Sequence, residues 1–122
     1  MKIVIGGQLD KKEIAKMTRE FFNDEVEVDI KGDLDATLAL QNGLYDYYIG
    51  ACNTGGGGAL AMAVSLLGLD KTATISMPGK VMSDEKIDEE VKKGKIAFGF
   101  TASDRDQVLP VLLKSIKEYK GI

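Results

Sequence analysis

The chain contains no histidine, which excludes imidazole acid–base catalysis and histidine ligation of a metal. Its one cysteine, Cys52, has no second thiol to pair with, and a lone thiol suits a reducing compartment. Nothing is basic enough to serve as a nucleic-acid footprint. The formal net charge is −3, and Lys11, Lys12, Lys16 and Arg19 are spaced as on a solvated helix face. No apolar run is long enough to cross a bilayer, the longest being Ala59 to Leu67, interrupted by Ser65. The opening "MKIVIGGQLD" has one lysine and too few apolar residues for a signal peptide. Linkers, internal repeats and low-complexity segments are also lacking. These absences point to one cytoplasmic domain over residues 1–122, with no nucleic acid, membrane insertion, metal or cofactor expected.

What is present is a strict alternation of short β-rich runs and helical patterns. "KIVI" (2–5) ends in Gly6-Gly7 and reads as a buried strand. Asp10 then stands in N-cap position with Glu13 at capping-box spacing, ahead of an apolar stripe of Ile14, Met17 and Phe21. "VEVDI" (26–30) alternates like a half-exposed edge strand, and Asp33 is placed to cap the next helix, which stops at Gly43. "DYYIGA" (46–51) is a third strand that reaches Cys52. Residues 59–67 form an apolar helix ending at Gly68. "TATIS" (72–76), a helix from Ser83 to Gly94, "IAFGF" (96–100) and a helix from Ser103 to Tyr119 complete the chain.

Five β–α pairs predict an α/β/α sandwich around a five-stranded parallel sheet with right-handed crossovers. The flavodoxin-like order 2-1-3-4-5 fits best, with the second strand at an edge. In such a sheet the ligand crevice lies beyond the carboxyl ends of the strands, where the winding direction reverses. That reversal falls between strands 1 and 3. Two glycine-rich loops meet there, Gly6-Gly7-Gln8 and Cys52 to Gly58.

Gly55, Gly56, Gly57 and Gly58 offer bare backbone N–H groups ahead of a helix, an arrangement that suits an anion. The same glycines would also let the apolar helix pack closely on the sheet. No Walker-type Gly-Lys-Ser/Thr follows, and the register is wrong for a dinucleotide fingerprint. Cys52, at a strand end beside a helix start, is placed as a base or nucleophile, or as a small buried hydrophobe. Thr54 adds a hydroxyl and Asn53 an amide, both also routine in turns. Lys80, in "SMPGK", is a cation on the same rim that could meet an anion or merely be solvated. Tyr47 and Tyr48 occupy adjacent strand positions and so pack on opposite sides of the sheet. The helix 59–67 is apolar nearly all round, so its second burying surface is expected to be another subunit.

"MKIVIGGQLDKKEI", "DYYIGACNTGGGGALAMA", "SMPGK" and "KIAFGF" together resemble the YhfU-like family of small bacterial proteins, a domain of unknown function. The loop also resembles, more distantly, the Cys-Gly-Thr-Gly-x-Gly element of type B ribose-5-phosphate isomerases. Cys52, Thr54, Gly55 and Gly57 match, Asn53 replaces the first glycine, and Gly43 and Asp46 match the approach to the cysteine. That resemblance implies a proton transfer of the aldose–ketose isomerase type, with Cys52 as base and loop amides stabilising an enediolate. The chain departs from it in lacking histidine and in having only two arginines, Arg19 and Arg105. The expectation is therefore a binder of a small anionic metabolite, a sugar phosphate or carboxylate. Cys52 and Thr54 are its candidate catalytic groups. Gly6, Gly7, Gln8, Asn53, Gly55 to Gly58 and Lys80 are its candidate ligand contacts. A non-catalytic accessory or sensing subunit of a transport or metabolic system is the alternative. A phosphocysteine carrier would want its cysteine after the first strand, where Gly6-Gly7 stand.

Overall fold

The computed structural model describes residues 1–53 and 60–122. In chain order the elements are β1 (Lys2–Gly7), α1 (Lys11–Phe21), β2 (Glu27–Ile30), α2 (Asp33–Gln41), β3 (Tyr47–Cys52) and α3 (Ala61–Leu67). They continue as β4 (Thr72–Thr74), β5 (Ser76–Met77), β6 (Lys80–Val81), α4 (Asp84–Lys92), β7 (Ala97–Thr101) and α5 (Arg105–Lys120). Five strands form a parallel sheet in the order β2-β1-β3-β7-β4, with helices on both faces. The α/β sandwich expected from the alternation is the fold observed.

The first three strands take the expected places, with β2 at the edge, but the last two are exchanged. Counting principal strands alone, the order is 2-1-3-5-4 where 2-1-3-4-5 was expected. The reason lies in what each strand must bury. Every residue of β7 is buried, including Phe98 and Phe100, so β7 needs a neighbour on each side. β4 has three residues, a length suited to an edge. "TATIS" is accordingly not one strand. It breaks at Ile75, and β5 then pairs antiparallel with β6 across Pro78-Gly79. Gly79 has φ +76°, the conformation that the third position of a type II turn requires.

The exchange also redistributes the helices. A right-handed crossover that steps back from β4 to β7 carries its helix to the opposite face from one that steps forward. α4 therefore joins α1 and α5 on one face, leaving α2 and α3 on the other. The three-helix face holds the larger core, where Ile3, Ile5, Ile49, Phe98 and Phe100 meet Ile14, Ile87 and Leu109. On the two-helix face Val4, Tyr48 and Ala97 meet Ala36, Leu40, Leu60 and Ala63. Within α3 only Ala63 is fully buried. On α2 the outward Leu34 and Leu38 are 49% and 37% exposed.

The helix starts follow the sequence unevenly. α4 begins at Ser83 as expected, and Ser83 is its cap, its Oγ accepting from the Lys86 N–H at 3.2 Å. Asp10 occupies the N-cap position of α1 in the left-handed region (φ 57°) and makes no side-chain cap there. Asp33 is not a cap either. Gly32 holds that position, and Asp33 is the first residue of α2. Both carboxylates are committed elsewhere.

Candidate functional site

The strand exchange bears directly on the site. β1 and β7 flank β3 and hand over to α1 and α5 on the three-helix face, whereas β3 hands over to α3 on the other. The winding direction thus changes on both sides of β3, and connections diverge around its carboxyl end. Cys52 is the last residue of β3, in register with Thr101 of β7, and is 1% exposed. Asn53 follows as an exposed bend. Thr54, Gly55, Gly56, Gly57 and Gly58 lie outside the described residues.

Gly6 and Gly7 reach the end of β3, as expected, for steric reasons that can be stated. Gly7 has φ +77°, and a Cβ there would stand 2.7 Å from the Ala51 nitrogen and 2.8 Å from its oxygen. The amides of this turn are also committed. The Gly7 N–H donates to Asp33 Oδ1 at 3.2 Å. The Gln8 and Leu9 N–H groups donate to the Ala51 carbonyl at 2.9 and 3.1 Å. Folded over β3 in this way, the turn forms a wall whose exposed element is Gln8.

From its strand position Tyr48 is expected to pack and no more. It does pack on the two-helix face, but it also carries a polar group toward the site. Gly6, Gly50 and Gly99 are in register across β1, β3 and β7. The Tyr48 ring runs along this row: a Cβ at Gly6 would overlap Cε2, and one at Gly50 would lie 2.8 Å from the hydroxyl. The hydroxyl donates to Asp33 Oδ1, the oxygen that also accepts from Gly7. Burial, then the bond to Asp33 and its charge, push the Tyr48 pKa well above the usual phenol range. Tyr48 therefore stays a neutral donor. One carboxylate oxygen thus ties α2 to both β1 and β3. The spacing Tyr48-x-Gly50-x-Cys52 puts all three on one face of a buried strand, which is the signal that could have revealed it.

Asp10 and Arg105 also come together. Arg105 Nη1 donates to Asp10 Oδ2 at 2.9 Å, and Arg105 Nε donates to Asp106 Oδ1 at 3.1 Å. Because β1 and β7 are the two neighbours of β3, this pair links the connections on either side of its end. Lys80 is exposed in the β5–β6 hairpin. That hairpin is fastened to β7 through Ser76, whose Oγ accepts from the Thr101 N–H at 2.9 Å. Among the described residues no cluster of three or more histidine, cysteine, aspartate or glutamate side chains could hold a metal. Nor is any helix among them long and apolar enough to cross a membrane.

Comparison with known proteins gives this arrangement a family. A family model described as a protein of unknown function, DUF2620, matches residues 1–116. The chain belongs to the DUF2620 family. It is 37% identical over 116 residues to the uncharacterized protein YhfU of Escherichia coli strain K12, covering 95% of this chain and 98% of that relative. The YhfU proteins of Escherichia coli O6:H1 and Shigella flexneri match with the same identity and coverage. The DUF2620 match runs from β1 into α5 and takes in the segments that follow β1, β3 and β7.

Proposed function

We propose that this chain binds a small anionic metabolite, a sugar phosphate or a carboxylate, at the carboxyl end of β3. The observation that carries the reading is the divergence of chain connections on both sides of that strand, the setting in which open α/β sheets take their ligands. Gly55 to Gly58 would supply backbone N–H donors, and Thr54 a hydroxyl. Asn53 and Gln8, both exposed, offer amides at the rim. The motif likeness to type B ribose-5-phosphate isomerases supports an oxyanion-type ligand. It also marks Cys52 as the base for proton transfer beside a carbonyl. The near-complete burial of Cys52 favours binding as the primary role, with proton transfer dependent on the ligand reaching the thiol.

A thermal-shift screen against sugar phosphates, keto acids and inorganic anions tests this reading. A ligand present at about 100 times its Kd stabilises by about 2.7 kcal/mol, a shift of several degrees in a domain of this size. If Cys52→Ser retains both the shift and any turnover detected with the hit, the catalytic role is lost and the binding role stands. An absence of stabilisation across the panel overturns the proposal in favour of an accessory subunit.

A further inference from the structure

We infer that Arg105 is the cationic contact for the bound anion and that Asp10 is its internal placeholder, released when the ligand arrives. The inference rests on the anion-binding reading above and adds the residue that neutralises the charge. Three observations support it. Arg105 follows β7 and Asp10 follows β1, so their 2.9 Å pair spans the end of β3, where that reading puts the ligand. The pair is partly sheltered, the arginine side chain being 23% exposed and the aspartate 37%. Asp10 also forgoes the expected cap on α1 and adopts a left-handed backbone, and its carboxylate is engaged by Arg105.

The chemistry suits exchange. A guanidinium presents paired N–H donors in a plane, and a phosphate or carboxylate can take two of them at once. Asp10 engages one terminal nitrogen, Nη1, while Nε is held by the exposed Asp106. An incoming oxyanion can therefore replace Asp10 with a contact of the same kind, without creating a new buried charge. Lys11, Lys12, Lys31 and Lys80 are also cations of the segments that follow the strands. Lys11 is turned to the Lys31 carbonyl at 3.3 Å, and Lys80 lies in the β5–β6 hairpin.

Titration calorimetry with inorganic phosphate tests the inference, with melting curves to verify that each variant folds. Arg105→Gln should bind phosphate about tenfold more weakly than the unmodified protein, as expected for loss of a charge-assisted contact. Asp10→Asn should bind it more tightly, by about threefold or more, because a competitor of the ligand is gone. If Arg105→Gln folds and binds phosphate as well as the unmodified protein, Arg105 is not the contact, and the anion site itself survives. Weaker binding by Asp10→Asn overturns the placeholder role even if Arg105→Gln fails to fold. If neither the unmodified protein nor Asp10→Asn binds phosphate, this inference falls, and the anion-binding reading is decided separately by the thermal-shift panel.

Discussion

The two faces of the sheet solve the same burial problem with different materials. Toward α1, α4 and α5 the strands present Ile3, Ile5, Ile49, Phe98 and Phe100, a continuous hydrophobic core. Toward α2 and α3 the same strands present Gly6, Gly50 and Gly99 in register, with one large side chain, Tyr48, laid across the first two. The first face holds the fold together by area removed from water. The second gives up area for a close approach, and so places a phenol hydroxyl, a carboxylate and a thiol near the end of β3.

Substitutions on each face should separate these roles. The largest loss is expected on the three-helix face. Phe98→Ala removes a fully buried ring whose centroid lies 6.1 Å from that of Tyr47. It should cost about 3–5 kcal/mol by urea denaturation, the usual range for deleting a buried aromatic side chain. On the glycine row, Gly6→Ala forces a methyl group into the Tyr48 ring and to 3.0 Å from the Ala36 Cβ. Overpacking of this kind should cost about 1–3 kcal/mol. A fully tolerated Gly6→Ala would show that the row is not the tight surface described.

The smallest effect, and the most specific, is expected from Tyr48→Phe. It deletes one hydrogen bond to a charged acceptor and should cost about 1.5 kcal/mol at neutral pH. Its signature lies in alkali. Burial, then Tyr119 and Asp46, push the Tyr47 pKa up to about 12, and the Tyr48 pKa is raised as well. A tyrosine whose pKa is raised on folding contributes stability that is fully present below its unfolded value, about 10, and is lost as pH rises through the folded value. The unmodified protein should therefore lose stability from about pH 10 upward. Tyr48→Phe should lose measurably less over the same range, read from denaturant midpoints at each pH. Parallel curves for the two proteins would remove Tyr48 from the linkage.

Much of this was visible in the chain, for reasons that can be located. Alternation in 26–30 placed β2 at an edge, and Ser83 announced the start of α4, because both signals are local. The Asp10 and Asp33 caps were equally good local signals, yet each carboxylate found a partner distant in sequence: Arg105 for Asp10, and Tyr48 with Gly7 for Asp33. Cap chemistry is worth about 1 kcal/mol, little enough for a charge-assisted contact from another element to outweigh it. In the sequence the candidate glycines stand only as bare backbone beside a ligand crevice. Gly6 and Gly7 proved to answer first to Tyr48 and Ala51, because neither close approach is visible until β1 and β3 are paired.

The sequence by itself determined the alternation of elements, the parallel α/β sandwich and the reversal of winding between β1 and β3. Each follows from periodicity and from the short connections such a chain permits. Only the tertiary structure decided that β7 lies inside β4, so that the winding direction changes on both sides of β3. The physical reason is competition for a buried position. A strand carrying two phenylalanines gains more from two neighbours than a three-residue strand can, and that comparison exists only once both compete for the place beside β3.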